Sequence, residues 1–373
     1  MKQQIWFWQT LFSPHMAFLA ESLASKGYQV FFVSGQLMSQ ERLLQGWEIP
    51  KVRNIEFLIL KDIKNLNNFY SKFHNDSIHI TQGLRGNEII KEVQKFFIRE
   101  NIKFWIIMES IEERFAFKII KRVVYSALIK KYQPHLIGIL AIGHGTKEWL
   151  LARGAEKNKV FPFAYFLKSL DITQLVKAKK IYSNNDSFKI IFVGSLIRLK
   201  RVDLLINAVS KISIKKVELA IIGSGPEFKS LNRLAQERIP GSVIFLGNQK
   251  SSLINSFLNQ ADCLVLPSRY DGWGAVVSES LIVGTPVICS DKCGAMSAVL
   301  ASKVGGVFNN NEHSLAEKIS QLIYYVESKP NLRKELRIWA RCLTAQYGCD
   351  YLMQVINKGS KVNNSWLEDT NYE

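Results

Sequence analysis

Short, unbroken apolar runs bounded by turn residues alternate with longer segments of helical period, and this alternation occurs twice along the chain. Runs of four to eight apolar residues suit strands buried on both faces, as in parallel sheets flanked by helices. In the first pass strands are expected at Ile5 to Trp8, Gln29 to Val33, Ile55 to Leu60, Ile78 to Thr81, Phe104 to Met108 and Leu136 to Ala141. Helical stretches between them run from Met16 to Lys26, Asn87 to Glu100 and Arg114 to Tyr132. The second pass places strands at Lys189 to Gly194, Glu218 to Ile222, Val243 to Leu246, Cys263 to Pro267 and Val287 to Ser290. Its helices are Val202 to Lys211, Pro226 to Glu237, Ser251 to Asn259 and Ala275 to Val283. The fold class this predicts is α/β, with two Rossmann-like domains.

The polar, basic stretch LKSLDITQLVKAKKIYSNNDS separates the two passes without a sheet-like run. Domain boundaries follow: a first domain over 1–170, a linker over 171–187 and a second domain over 188–344. Two helices, Asn331 to Thr344 and Asp350 to Asn357, close the chain, and the polar residues 359–373 are expected to be a disordered tail.

Composition narrows the class. The 373 residues are 47% hydrophobic and 22% charged, which excludes a disordered chain and suits two domains of ordinary size. No run approaches the ~20 apolar residues of a membrane span. The start, MKQQIWFWQTLFSPH, lacks the clean apolar core and small cleavage residues of a signal peptide, which points to the cytoplasm. Five cysteines without framework spacing read as reduced thiols, and the Cys289-x3-Cys293 pair has no second pair to complete a metal site. The net charge of +17 changes the picture more: residues 1–183 hold 27 basic and 15 acidic groups, the remainder 22 and 17. The excess sits in the first half and would attract an anionic membrane surface or polyphosphates.

The densest chemistry lies in CLVLPSRYDGWGAVVSESLIVGTPVICS, Cys263 to Ser290. It reads as strand, glycine-broken acidic loop, helix, turn and strand, with Asp271 and Glu279 bracketing the loop and the first turns of the helix. Helix N-termini beside the C-terminal ends of strands hold phosphates and sugars in open α/β sheets. Carboxylates there can accept hydrogen bonds from ribose and sugar hydroxyls.

This segment resembles the acid-x7-acid signature of family 4 glycosyltransferases, retaining enzymes with two Rossmann-like domains facing a central cleft, the GT-B fold. The resemblance implies a nucleoside-diphosphate sugar donor, with UDP or GDP as the nucleotide, and no metal or cofactor. Glu279 would then hold the donor ribose, and Asp271, with the backbone amides of the loop at Gly272, Trp273 and Gly274, would lie against the transferred sugar. The strand IIFVGS running into LIRLKRVDLL is similar to the family's diphosphate-gripping segment. Lys200 matches its lysine and Ser195, after Gly194, stands where arginine is usual; Arg198 or Arg201 could reach the same phosphates. Cations at the departing diphosphate lower the barrier by meeting its growing charge. The turn Gly223-Ser224-Gly225-Pro226 lies near the nucleotide in the family, although a two-glycine turn serves tight strand-to-helix geometry equally well. The final helix, about 345–358, is expected to return to the first domain.

In the first half the resemblance extends to WFWQTLFSPHMAFLAESL, where Gln9, Thr10, Ser13 and Pro14 replace the family's glycine pair and His15 enters the helix on the acceptor side. Glu109, ending FWIIME, is a further candidate to touch an acceptor hydroxyl. His144 precedes a helix that Thr146 is expected to cap. The helix ERFAFKIIKRVVYSALIKKY sets Phe117, Ile120, Val124 and Leu128 beside basic residues, an arrangement suited to lying on an anionic membrane and receiving a lipid-linked saccharide; the plainer reading is a core helix with a solvated basic face. The combined expectation is a retaining, metal-independent hexosyltransferase of bacterial surface-polysaccharide type, cytoplasmic and peripheral on the inner face of the cell membrane. Two rivals remain. A nucleotide-sugar 2-epimerase shares the architecture but needs acid/base groups that do not assemble here. A basic nucleic-acid binder would explain the charge, but no nucleic-acid module is recognisable, so none is expected as a partner.

Overall fold

A computed structural model describes residues 2–62, 66–85, 87–112, 118–183, 186–359, 362 and 364–367. The chain divides into two compact units: Met1–Ser39, Ile49–Lys168 and Ala345–Asn364 form the first, and Gln40–Glu48, Ser169–Thr344 and Ser365–Glu373 the second.

Among the described residues the first unit is built on a parallel sheet of seven strands: β1 (Gln4–Leu11), β2 (Gln29–Gln36), β3 (Ile55–Ile59), β4 (Ile78–Gln82), β5 (Phe104–Glu109), β6 (Leu136–Ile142) and β7 (Val160–Phe163). Their spatial order is β3-β2-β1-β4-β5-β6-β7, so the direction of winding reverses between β1 and β4. The connecting helices include α1 (Pro14–Ser25), α2 (Gln40–Leu44), α3 (Leu66–Tyr70), α4 (Glu88–Arg99), α5 (Lys118–Tyr132) and α6 (Thr146–Leu151), of which α2 groups with the second unit. Bulky aromatics fill this core. Trp6 stacks on Phe31 with centroids 3.9 Å apart, and Trp8 meets Phe97 edge to face.

The second unit repeats the plan with six described strands: β8 (Phe188–Val193), β9 (Val217–Ile222), β10 (Val243–Gly247), β11 (Cys263–Leu266), β12 (Val287–Ser290) and β13 (Gly305–Phe308), ordered β10-β9-β8-β11-β12-β13. Here the reversal falls between β8 and β11. The helices are α7 (Val202–Val209), α8 (Phe228–Arg238), α9 (Ser251–Gln260), α10 (Ala275–Val283), α11 (Met296–Ala301), α12 (Glu312–Ser328) and α13 (Leu332–Trp339). The last helix, α14 (Ala345–Lys358), belongs to the first unit, where the Tyr351 hydroxyl donates to the Pro162 carbonyl at 2.7 Å.

Several details depart from the expectation. Strands β7 and β13 are additional. Each is short, carries a proline or a glycine pair, and lies at a sheet edge, where Pro162 costs no ladder hydrogen bond. Helix α12 is also additional, although its inward stripe of Leu315, Ile319 and Leu322 is spaced as a helix requires. Thr146 is not a cap: Gly145 holds the N-cap position in the left-handed region, and the Thr146 hydroxyl donates to the Ile142 carbonyl while accepting from the Ser110 amide. The segment expected as a linker lies along α9, with Gln260 bonding to Ile181 and Lys179. Residues 184–185 of that segment, 114–117 of the basic helix, and 360–361, 363 and 368–373 of the tail lie outside the described residues.

Candidate functional site

In open parallel sheets, ligands bind beyond the carboxyl ends of the two strands that flank the reversal. In the second unit those strands are β8 and β11, and the loops leaving them carry the chemistry. After β8 the chain makes a single 3-10 turn over Arg198–Lys200 and enters α7 through Arg201 at φ 51°. After β11 it forms the acidic loop. The two loops are stitched by the Arg269 amide donating to the Leu199 carbonyl at 2.8 Å, and by an ion pair of Lys200 Nζ with Asp271 Oδ2 at 2.7 Å. Both side chains are mostly buried, at 20% and 16% exposure, which shields their attraction from solvent screening. Residues 71 positions apart in sequence thus form one paired cation and anion at the switch point.

The acidic loop is held on its other side by the segment after β12. Asp271 bridges to Cys293, its carbonyl accepting from Gly294 N–H at 2.8 Å, and the Trp273 carbonyl accepts from Ala295 N–H at 2.9 Å. This leaves no room for side chains: a Cβ on Gly294 would lie 1.7 Å from the Gly272 carbonyl oxygen. Gly274 then caps α10 at φ 88°, and no side chain closes that N-terminus. The Trp273 ring turns inward, 1% exposed, with Nε1 donating to Ser278 Oγ at 3.0 Å. The role expected of Trp273 is that of a loop amide, and the indole belongs to the core. Cys289 and Cys293 are buried thiols beside this loop.

Glu279 lies in the second turn of α10. It is only partly exposed, and burial of its carboxyl pushes the pKa up from 4.5 to about 7. Its carboxyl has no hydrogen-bond or ion-pair partner among the described residues.

The remaining predicted residues divide. Ser195 and Gly194 stand at the mouth of β8, where Gly194 N–H donates to the Ile222 carbonyl at 2.9 Å. Gly223 holds φ 133°, and a Cβ there would come within 1.9 Å of the Gly194 carbonyl oxygen, so its work is to let these two loops touch. Arg198 is 86% exposed and only 3.6 Å from Glu227, whereas Arg201 turns back to Asp203 at 3.2 Å. Of the two alternatives to the missing arginine, Arg198 is the one at liberty to move.

In the first unit His15 and Glu109 line one cavity of about 350 Å³ at the ends of β1, β4 and β5. His15 Nε2 sits 3.1 Å from Ser13 Oγ, and its ring stacks on Tyr165 at 3.7 Å. Sequence reasoning missed Gln82, Arg85 and Tyr165 here and gave Gln9 no role. The signal for Gln9 is an amide inside the otherwise apolar strand IWFWQT.

Residues 174–339 match the family model described as glycosyl transferases group 1. An uncharacterized glycosyltransferase of Methanocaldococcus jannaschii is 24% identical over 313 residues, covering 77% of this chain and 84% of the relative. The fold is shared with Anabaena HepE, solved in complex with UDP and glucose, at a TM-score of 0.70, 13% identity, and coverage of 95% of this chain and 99% of that one. It is shared also with the lipopolysaccharide outer core galactosyltransferase WaaB, at a TM-score of 0.65, 16% identity, and coverage of 96% and 99%.

Proposed function

We propose that this chain, whose second unit carries a group 1 glycosyltransferase domain, is a retaining hexosyltransferase that moves a sugar from UDP or GDP to a saccharide hydroxyl on a lipid-linked glycan precursor. The observation that carries the reading is one switch point holding both the Lys200–Asp271 pair and the unpartnered Glu279 carboxyl. Each group has a use on such a donor. The diphosphate becomes the counter-anion of Lys200, which releases Asp271 to accept hydrogen bonds from the hydroxyls of the transferred sugar. Glu279 takes the ribose hydroxyls. The uncapped amides of α10 and the mobile cation Arg198 face the charge that grows on the departing diphosphate. The acceptor attacks the face from which the diphosphate leaves, and the leaving phosphate takes its proton, so configuration is kept without a nucleophile from the protein. HepE, of the same fold, was solved with UDP and glucose, which favours UDP as the first nucleotide to try.

The test combines thermal shift and turnover with UDP- and GDP-sugars. Glu279→Ala is expected to abolish stabilisation by the donor, and Lys200→Ala to lower turnover roughly 10²–10³-fold. Wild-type values in both variants would remove the site.

The lipid-linked acceptor and peripheral location gain support from α5, but from a different face than the sequence suggests. Val124 and Leu128 are half-buried and Leu128 packs on the core; the outward residues are Ile119, Ile120 and Val123, 79%, 61% and 63% exposed, beside Arg122 and Lys130. Among the described residues no helix is long and apolar enough to cross a membrane. Apolar groups among cations on one helix face suit shallow insertion into an anionic bilayer. Phosphatidylglycerol vesicles are expected to co-sediment the protein and phosphatidylcholine vesicles to leave it in solution. Ile119→Ser with Val123→Ser should weaken co-sedimentation at least fivefold, and unchanged binding would sink this assignment.

A further inference from the structure

We propose that the cavity of the first unit receives the acceptor through an anionic substituent, a carboxylate or phosphate on its terminal sugar, with Gln9 and Arg85 determining that specificity. The inference deepens the glycosyltransferase reading and rests on it for calling the ligand an acceptor. Its basis is the hydrogen-bond inventory of the cavity. Gln9 lines the cavity, is 3% exposed, and its Nε2 has no partner among the described residues, so a buried N–H donor stands unsatisfied in the cavity wall. Such a group costs ~1–3 kcal/mol while unmet, and it can be met only by an acceptor atom.

The neighbouring amides are oriented the same way. Gln82 Oε1 is occupied by the Thr10 amide at 2.8 Å and the Thr10 hydroxyl at 2.6 Å, which leaves its nitrogen as the end for a ligand. Asn87 Oδ1 is occupied in capping α4, accepting from Ile90 N–H at 3.0 Å, which leaves its nitrogen too. The positive end of the twelve-residue α4 begins beside them. Arg85 lies at the rim, exposed, with no ion-pair partner among the described residues. Donors therefore dominate the β1 and β4 side, a composition that selects oxyanions over neutral hydroxyls, since a hydroxyl would bring its own donor to a place with few acceptors. The stacked rings of His15 and Tyr165 supply a flat wall for the sugar that carries the anion.

The experiment is a titration calorimetry series on the full chain with glucuronate, glucose 6-phosphate, inorganic phosphate and glucose, with UDP titrated separately. Glucuronate or glucose 6-phosphate is expected to bind at least tenfold more tightly than glucose, and Arg85→Ala and Gln9→Leu each to lower that preference about tenfold. Urea unfolding followed by circular dichroism reports that the variants are folded. A preference for glucuronate assigns a carboxylate, and one for glucose 6-phosphate shared by inorganic phosphate assigns a phosphate. Equal binding, no binding, or a preference that survives both substitutions overturns the proposal. Loss of UDP binding in the wild-type chain, with the anion preference intact, would instead strike the donor reading and leave the anion site standing.

Discussion

The two units fold the same way and use their switch points in opposite ways. In the second, formal charges meet: a cation and an anion are paired at 2.7 Å, and burial raises the Glu279 carboxyl to a pKa of about 7. In the first, neutral amides face a cavity and charge is kept to Arg85 at the rim and Glu109 on the next strand. The buried titratable groups differ likewise. The first unit's His79 is a core residue, pushed down to about 3 by burial and accepting from Trp8 Nε1 through Nδ1 at 3.3 Å, while the second unit's Glu279 faces the site. A common scaffold fixes where a ligand sits, and the side chains at the strand ends decide whether it is gripped by charge or by hydrogen bonds.

The largest effect that can break this comparison is steric. Charge in the second unit is positioned by loops touching backbone to backbone, so Gly294→Ala, with its Cβ 1.7 Å from the Gly272 carbonyl oxygen, is expected to destabilise that unit by roughly 3–5 kcal/mol and remove donor binding. In the first unit Gly145 has a positive φ, 74°, and a Cβ there meets nothing within 4 Å. Gly145→Ala should cost only about 1 kcal/mol. Urea unfolding of both variants decides the matter, and similar costs would mean that the tight loop packing is not what holds the acidic site.

Next in size is a pH dependence of opposite sign in the two units. Glu279 binds its proton more tightly folded than unfolded, so stability falls as pH rises from 4.5 through about 7, and Glu279→Gln should stabilise the ligand-free chain by roughly 2–3 kcal/mol at pH 8. His79 binds its proton less tightly when folded, so stability falls as pH drops from 6.5 toward 3, by roughly 3 kcal/mol at pH 4. Melting curves with a tryptophan signal, to which both units contribute, should therefore shift most on the acid side, and Glu279→Gln should flatten only the alkaline side.

The same contrast explains what the sequence could disclose. Paired carboxylates on a strand, loop and helix, and a lysine after a glycine-ended strand, are residue types whose spacing carries meaning, so Asp271, Glu279 and Lys200 are legible in the linear chain. The amides of the first cavity are not, because glutamine and asparagine near strand ends are ordinary surface residues until the sheet order β1-β4-β5 sets Gln9, Gln82 and Glu109 together. The strand alternation discloses both sheets but not their weak edges, β7 and β13, where short runs with proline or glycine lose the apolar pattern. Trp273 is legible only in the fold: nothing in the periodicity of a glycine-broken polar loop marks its ring as core, yet it anchors the loop there.

The smallest predicted effect tests whether the second unit's dependence on charge extends beyond Lys200. Ser195 occupies the position at which the resembling pattern carries arginine, so a second cation must come from elsewhere or be dispensed with. Arg198 is the candidate because its one ion pair among the described residues is a surface contact of 3.6 Å with Glu227, worth roughly 0–1 kcal/mol, which a diphosphate easily outbids. If Arg198 swings onto the departing phosphate, Arg198→Ala should lower kcat about tenfold with little change in donor KM, since the contact strengthens as charge develops. Ser195→Arg should restore the loss in that background by placing a guanidinium on the loop at β8. An Arg198→Ala enzyme with wild-type kcat would mean that Lys200 and the amides of α10 neutralise the leaving group by themselves, and the second unit would then need less charge than its composition suggests.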